Sequence, residues 1–161
     1  QTELIILRPS NVLGRRDISF LPSFLLAHKF RVFPAIDSGK HRFSCIDARD
    51  VGRAIAHLIH APIDQPEIYL TKGYDISWRE LKNALDSHSG RTSFVFNLPK
   101  GLTAFFAQLF EKIYPFGSSP PLTRFDVAVL STDTLFDDSK IRETGFSPKY
   151  SLTDSLADSI D

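Results

Sequence analysis

The stretch Leu7-Arg8-Pro9-Ser10-Asn11-Val12-Leu13-Gly14-Arg15-Arg16-Asp17 decides how the rest of the chain is read. Leu4-Ile5-Ile6 precede it, so four consecutive apolar residues run into an Arg-Pro corner, a Ser-Asn pair and a Gly-Arg-Arg turn. A strand that is apolar at every position has no face for water, and it belongs inside a sheet covered on both sides. This one begins at residue 4, with no strand before it to pair with. Its partners are therefore expected from outside this sequence or from a second copy of the chain, because an exposed apolar edge invites association.

The 161 residues are 42% apolar and include 14 Phe, enough for one sizeable core. Nineteen basic residues balance nineteen acidic ones, so no net field draws nucleic acid or an anionic membrane, and neither is expected as a partner. The single cysteine, Cys45, excludes an internal disulfide, points to a reducing compartment, and reads as a buried, inert thiol inside an apolar run. With no apolar stretch near the length of a membrane span and no signal-peptide layout, a soluble, cytoplasmic protein is expected. Methionine is absent, so Gln1 is expected to be a cleavage product or an artificial boundary.

Hydrophobic periodicity and capping residues divide the chain. Ser19–His28 reads as a short helix entered through Pro22, with Phe24 and Leu25 inward. Arg31–Arg42 reads as loop or hairpin around Asp37-Ser38-Gly39-Lys40. Phe43–Ile46 reads as a strand, after which Asp47 caps a helix with Asp50 in its first turn and Val51, Ala54, Ile55, Leu58 and Ile59 on one buried stripe, ending at Pro62. Glu67–Leu70 and Ser93–Phe96 read as strands. Between them Ser77-Trp78-Arg79-Glu80 is a capping box opening a helix that buries Leu81, Ala84 and Leu85 and stops at Gly90. Pro99 opens the most strongly patterned helix, whose Leu102, Phe105, Phe106, Leu109, Phe110 and Ile113 share a face expected to be core, with the lid of a substrate pocket as the alternative. Pro115–Pro121 reads as a linker, Leu122–Leu130 as a helix aligning Leu122, Phe125 and Val129, and Ser151-Leu152-Thr153-Asp154 as the cap of the last helix. The result is an α/β arrangement that becomes mostly helical.

Several chemistries lack their residues here. A phosphate-cradling loop needs glycines within a few positions of one another, and the nearest two, Gly90 and Gly101, are 11 apart. None of Tyr69, Tyr74, Tyr114 and Tyr150 is followed four residues later by lysine. No nucleophile elbow and no zinc-binding His-Glu-x-x-His is present. His57 and His60 share a helix, but they are better explained by the negative end of its dipole than by a metal. No catalytic residue is assigned within this chain.

Four landmarks in register nevertheless resemble the C-terminal portion of an extended short-chain dehydrogenase/reductase, of the NAD-dependent epimerase/dehydratase superfamily. Ile6-Leu7-Arg8-Pro9-Ser10-Asn11-Val12-Leu13-Gly14-Arg15-Arg16 is similar to the family's L-R-P-x-x-V-Y-G-P-R. Phe43–Ala54 is similar to F-x-x-V-D-V-R-D-V-A-x-A. Ile68-Tyr69-Leu70 with Ile76–Leu81 resembles I-Y-N followed by S-x-x-E-L. Pro120-Pro121-Leu122-Thr123, Phe136–Lys140 and Gly145-Phe146-Ser147-Pro148 resemble P-P-L-T, F-D-x-S-K and L-G-F-x-P. The nearest flavour is the branch of dihydroflavonol reductases, 3β-hydroxysteroid dehydrogenases and nucleotide-sugar epimerases. Arg15, Leu13 and Thr144 depart from the usual proline, tyrosine and leucine and loosen the branch assignment.

The resemblance implies the C-terminal part of a Rossmann-type NAD(P)-binding fold with a mostly helical substrate-binding lobe, residues 1–161 forming one unit. It implies NAD or NADP as cofactor, bound mostly by an N-terminal Rossmann half that also supplies the catalytic Ser/Thr, Tyr and Lys. In this chain Pro9, Ser10, Asn11 and Val12 would reach the nicotinamide, and Asn11 and Arg42 would contact a small-molecule substrate. The expected whole is an oxidoreductase or epimerase moving hydride between nicotinamide and a secondary alcohol or ketone, and the isolated piece is expected to be inactive. The rivals are a nucleotide-sugar epimerase or dehydratase, and a cofactor-sensing protein without catalysis on the same fold. A homo-oligomer is also compatible with the bare first strand. Asp47 and Asp50 read as helix caps, Arg49 and Arg53 as their partners or solvated charges, and Lys140 as structural.

Overall fold

The computed structural model describes residues 4–15, 17, 21–61, 67–114 and 123–160. Strand β1 (Ile5–Pro9) runs parallel to β5 (Glu67–Thr71), with Ile5 opposite Glu67 and Pro9 opposite Thr71. The apolar opening thus finds its partner within the chain. After Ser10 the backbone leaves that pair and enters β2 (Asn11–Leu13), which is parallel to β4 (Arg42–Asp47), itself antiparallel to β6 (Tyr74–Ser77). A third pair, β3 (Val32–Ile36) and β7 (Phe94–Leu98), is also parallel. The first two sheets exchange strands at neighbouring points. Ser10 N–H donates to Thr71 O at 2.9 Å, and Gly73 N–H donates to Cys45 O at 2.7 Å where β5 passes into β6. The Pro9–Val12 corner lies at that double crossing.

Helices cover these sheets: α1 (Leu21–Lys29), α2 (Ala48–His60), α3 (Trp78–Ser89), α4 (Lys100–Ile113), α5 (Arg124–Leu130), α6 (Ser139–Glu143) and α7 (Leu152–Ile160). Their starts follow the capping residues. Asp47 accepts from Arg49 N–H, and Ser77 and Glu80 form a reciprocal capping box. Gly90 closes α3 in a left-handed conformation that costs a residue without Cβ little. The largest core gathers Leu13, Phe33, Phe43, Cys45, Trp78, Leu81 and Leu85, with Phe24, Leu25 and Ala84 packed against it. A second joins Ala54 and Leu58 of α2 to Tyr69, Ile141 and Phe146, and receives Ile5 and Leu7 from β1. Gly14 is required where the loop after β2 meets α2, because a Cβ there would stand 2.8 Å from Ala48 Cβ.

Three sequence expectations are corrected and one unassigned segment is resolved. Arg31–Arg42, read as loop or hairpin from its Asp37-Ser38-Gly39-Lys40 turn, contains β3, which pairs only with β7 among the described residues, an edge where Pro34 is tolerated. Tyr74–Ser77, to which the sequence reading assigned no element, is a strand, short and with only Ile76 buried, held by its ladder to β4. On α2, Ala54 and Leu58 are buried whereas Ile55 and Ile59 are exposed, so the stripe is narrower than its periodicity suggested. On α4 the inward residues are the small Thr103, Ala104 and Ala107, which let the helix approach Ile36, Leu98, Val127 and Leu130. Leu102, Phe105, Phe106, Leu109 and Ile113 are exposed and do not form core. Phe125 of α5 is exposed as well. The Pro115–Pro121 linker, Leu122, Ser19 and Pro62 lie outside the described residues. Among those described, no helix is long and apolar enough to cross a membrane.

Candidate functional site

The carboxyl ends of parallel strands are where open α/β sheets bind ligands, and β1 and β5 end side by side at Pro9–Ser10 and Thr71. Two hydroxyl oxygens there, Ser10 Oγ and Thr71 Oγ1, are buried without a hydrogen-bond partner among the described residues. Buried polar atoms are rarely left unpaired, so two at one strand end mark a place built to meet something further.

Beyond Ser10 the corner is tied to β4. Asn11 lies opposite Cys45 and donates from Nδ2 to Ser44 O at 2.9 Å. That bond fixes the amide and leaves Oδ1 and one N–H to meet a ligand. Ser44 is fully buried, donates from Oγ to Asp75 Oδ1 at 2.5 Å and accepts from Phe136 N–H. Asp75 also receives Lys72 Nζ at 2.7 Å on Oδ2 and Arg42 Nη2 at 3.0 Å on its backbone carbonyl. Burial opposes the charge on Asp75, but the hydrogen bonds from Lys72 and Ser44 and the nearby cations outweigh it and hold its carboxyl below the ordinary value. Asn11 and Arg42 therefore stand on one network running through Ser44 and Asp75. Arg42 is three residues before Cys45 on β4, about 10 Å along the strand from Asn11. Lys72, Ser44, Asp75 and Thr71 were not singled out from the sequence, since their meeting depends on the β4–β6 ladder. The only sequence signal was the Thr71-Lys72-Gly73 exit from a strand.

The remaining titratable clusters are occupied structurally. Asp47, with its side chain fully buried, accepts from the Arg49 guanidinium and from Ser155 Oγ, which in turn accepts from Tyr74 OH. Burial raises the Tyr74 phenol above its ordinary range. Asp50 accepts from Arg53 and from the backbone N–H groups of Lys149 and Tyr150. His57 bonds Thr144 and His60 bonds Ala56 O, each engaged with a separate partner. Burial pushes the Cys45 thiol far up. A cleft of about 330 Å³ is lined by Arg15, Arg49, Asp154, Ala157 and Asp158 and by none of Pro9–Val12.

No protein-family model matches this sequence, and no curated protein matches it either. Solved structures do resemble it. A nucleoside-diphosphate-sugar epimerase from Pseudomonas aeruginosa superposes with a TM-score of 0.71 at 20% identity, over 98% of this chain and 46% of that one. The UDP-glucuronic acid 4-epimerase from Bacillus cereus, solved with NAD, gives 0.68 at 17% identity over 96% of this chain and 42% of that one. MoeE5, solved with UDP-glucuronic acid and NAD, gives 0.66 at 16% identity over 98% and 46%. This chain spans less than half the length of each of these proteins, and over that span it shares their fold.

Proposed function

We propose that this chain is the substrate-binding, C-terminal portion of an NAD(P)-dependent oxidoreductase or epimerase. One observation carries the reading. The β1–β5 pair is covered on one face by α2 and α6, while Ile6 and Ile68 on the other face remain 37% and 45% exposed. β1 also has no partner on its outer edge among the described residues. Parallel strands are normally covered on both faces. A further αβ unit extending this sheet beside β1 fits that bare face, and the matched epimerases are more than twice as long as this chain.

In the complete protein the nicotinamide would accept or return hydride at the substrate carbon. The residues here fit that group: Ser10 Oγ and Thr71 Oγ1 offer unspent hydrogen-bonding capacity at the sheet's carboxyl edge, beside the backbone of Pro9 and Val12. Asn11, steadied by Ser44, presents its free amide atoms to the substrate side. Arg42 supplies a fixed positive charge on the same network. The Ser/Thr, Tyr and Lys that the resemblance implies for proton transfer are assigned to an N-terminal half.

The nucleotide-sugar reading is favoured among the alternatives by the matched structures, and a diphosphate would suit Arg42. Comparing full-length protein with this chain alone tests the proposal. NAD binding in calorimetry, together with either NADH formation from secondary alcohols or formation of the epimer from UDP-sugars, is expected only for the full-length form. Tight NAD binding by residues 1–161 alone would overturn the proposal. Binding of NAD by the full-length form without turnover of any alcohol or nucleotide sugar would replace it with the sensor reading.

A further inference from the structure

The chain enters β4, and so reaches Arg42, through a strained turn. Asp37, Ser38 and Gly39 are three consecutive left-handed residues, with φ of +49°, +58° and +69°. That backbone is costly for Asp37 and Ser38, whose Cβ atoms crowd the following carbonyl, so the turn persists because contacts hold it. Ser38 N–H donates to Asn97 Oδ1 at 2.9 Å, and Arg79 Nη2 of α3 donates to Ser38 O at 3.0 Å. A third tie is His41. Its Nε2 meets Asp37 Oδ2 at 3.1 Å, and its Nδ1 meets Asp133 Oδ1, between α5 and α6, at 3.2 Å. One ring, its side chain only 18% exposed, thus joins two loops.

An ionised carboxylate only accepts hydrogen bonds, whereas a neutral imidazole carries one N–H and one lone pair. Both contacts are therefore attractive only on the protonated ring. When the proton leaves, one nitrogen turns a lone pair toward a carboxylate and that tie is lost. Histidine is the side chain that ordinarily changes charge between about pH 5 and 8. The two carboxylates stay ionised through that range. The bond to His41, aided by Lys40 at 3.7 Å and by Lys100 of α4, outweighs burial and holds Asp37 below its ordinary value. The Arg42 N–H, aided by His41, does the same for Asp133. Asp133 is also what fixes Arg42. The Oδ1 that meets His41 accepts Arg42 N–H at 2.9 Å, and the adjoining Thr134 N–H donates to Arg42 O at 2.9 Å. Asp37 and Asp133 are 44% and 56% exposed, so neither bond is strong alone and the loss of one opens the clasp.

We propose that His41 is a positioning residue, a proton-dependent clasp that fixes the start of β4 and with it the Arg42 guanidinium on Asp75 O. Its consequence for ligand rests on the reading that Arg42 meets the diphosphate of a nucleotide sugar: binding there weakens as the ring loses its proton. The full-length protein is titrated across the histidine range, with His41 followed by nitrogen-15 NMR and the Arg42 amide by hydrogen exchange corrected for its intrinsic rate. Arg42 protection is expected to fall about fivefold, the loss of one exposed charged bond, with the midpoint of the ring's own titration. In His41→Gln it is expected not to vary with pH. UDP-glucose, whose diphosphate keeps its charge throughout, is the binding probe. Its Kd is expected to rise about fivefold over the same transition in the wild type and to stay flat in His41→Gln. Arg42 protection that ignores the ring's titration, or that changes identically in His41→Gln, overturns the proposal. So does UDP-glucose affinity that falls with pH just as steeply without His41. Protection that follows the ring while UDP-glucose is bound at no pH upholds the clasp and refutes the nucleotide-sugar reading instead. Should His41→Gln fail to fold, the wild-type titration decides alone.

Discussion

Replacing Asp50 by alanine separates a helix cap from a tertiary staple. A carboxylate in the first turn of a helix is worth about 1 kcal/mol if it serves only that turn. Asp50 does more, because its side chain is fully buried and its oxygens accept from Lys149 N–H at 3.0 and 2.9 Å and from Tyr150 N–H at 2.9 Å, 99 and 100 residues away. Arg53 Nη1 adds a contact at 2.5 Å, discounted here because the arginine side chain is 45% exposed. Hydrogen bonds to a charged group contribute about 1.5–3 kcal/mol each, and alanine leaves both amides without their acceptor. The loss expected for Asp50→Ala is therefore about 3–5 kcal/mol, the range found when one member of a buried charged pair is removed. Asp50→Asn should fall between, since one oxygen survives and an N–H₂ now faces a donor. Urea unfolding of the full-length protein followed by Trp78 fluorescence reads the global loss. Hydrogen exchange reads the local one, with protection at Lys149 and Tyr150 expected to drop about a hundredfold. A cost near 1 kcal/mol with those two amides still protected would refute the staple.

Three further outcomes follow from single contacts. Gly14→Ala is expected to cost about 1–3 kcal/mol because its new Cβ meets Ala48 at 2.8 Å, while Gly90→Ala, open to solvent at φ +65°, should cost about 1 kcal/mol; equal thermal shifts for the two would count against the close approach. Burial opposes the charge of Asp86, but hydrogen bonds from Lys82, Ser93 and His28 outweigh it and lower its pKa from 3.8 to about 2. The stabilisation from that charge is present above 3.8 and disappears as pH falls toward about 2, so Asp86→Asn should flatten the acid limb of a stability profile in that window. Cys45, fully buried with its thiol pushed up by desolvation, should react with maleimide only at the rate of unfolding, and rapid labelling of native protein would contradict its placement.

What the sequence disclosed depended on the distance over which each residue acts. Ser77 with Glu80, Ser151 with Asp154, and Asp47 with Arg49 each satisfy amides of their own turn, and each pattern appears in the structure as read. The end of the strand at Pro9 was legible for a related reason, since Arg-Pro closes it locally, whereas the cover expected on both faces is present on one only, Ile6 being 37% exposed. Contacts made by chain crossing were not legible. Ser44 becomes a hub only because β6 brings Asp75 beside it, and Asp50 looked like an ordinary cap because Lys149 and Tyr150 contribute backbone amides, which leave no mark in side-chain pattern. The α4 stripe shows the deeper limit. Periodicity reports that one helical face is apolar, and either a core or an external partner satisfies it equally. What separated the two was the opposite face, where Thr103, Ala104 and Ala107 are small enough to let the helix lie close on Ile36 and Leu98. A helix that packs through its small residues frees its large ones for another surface, and the bare face of β1 and β5 carries the same implication at the other sheet.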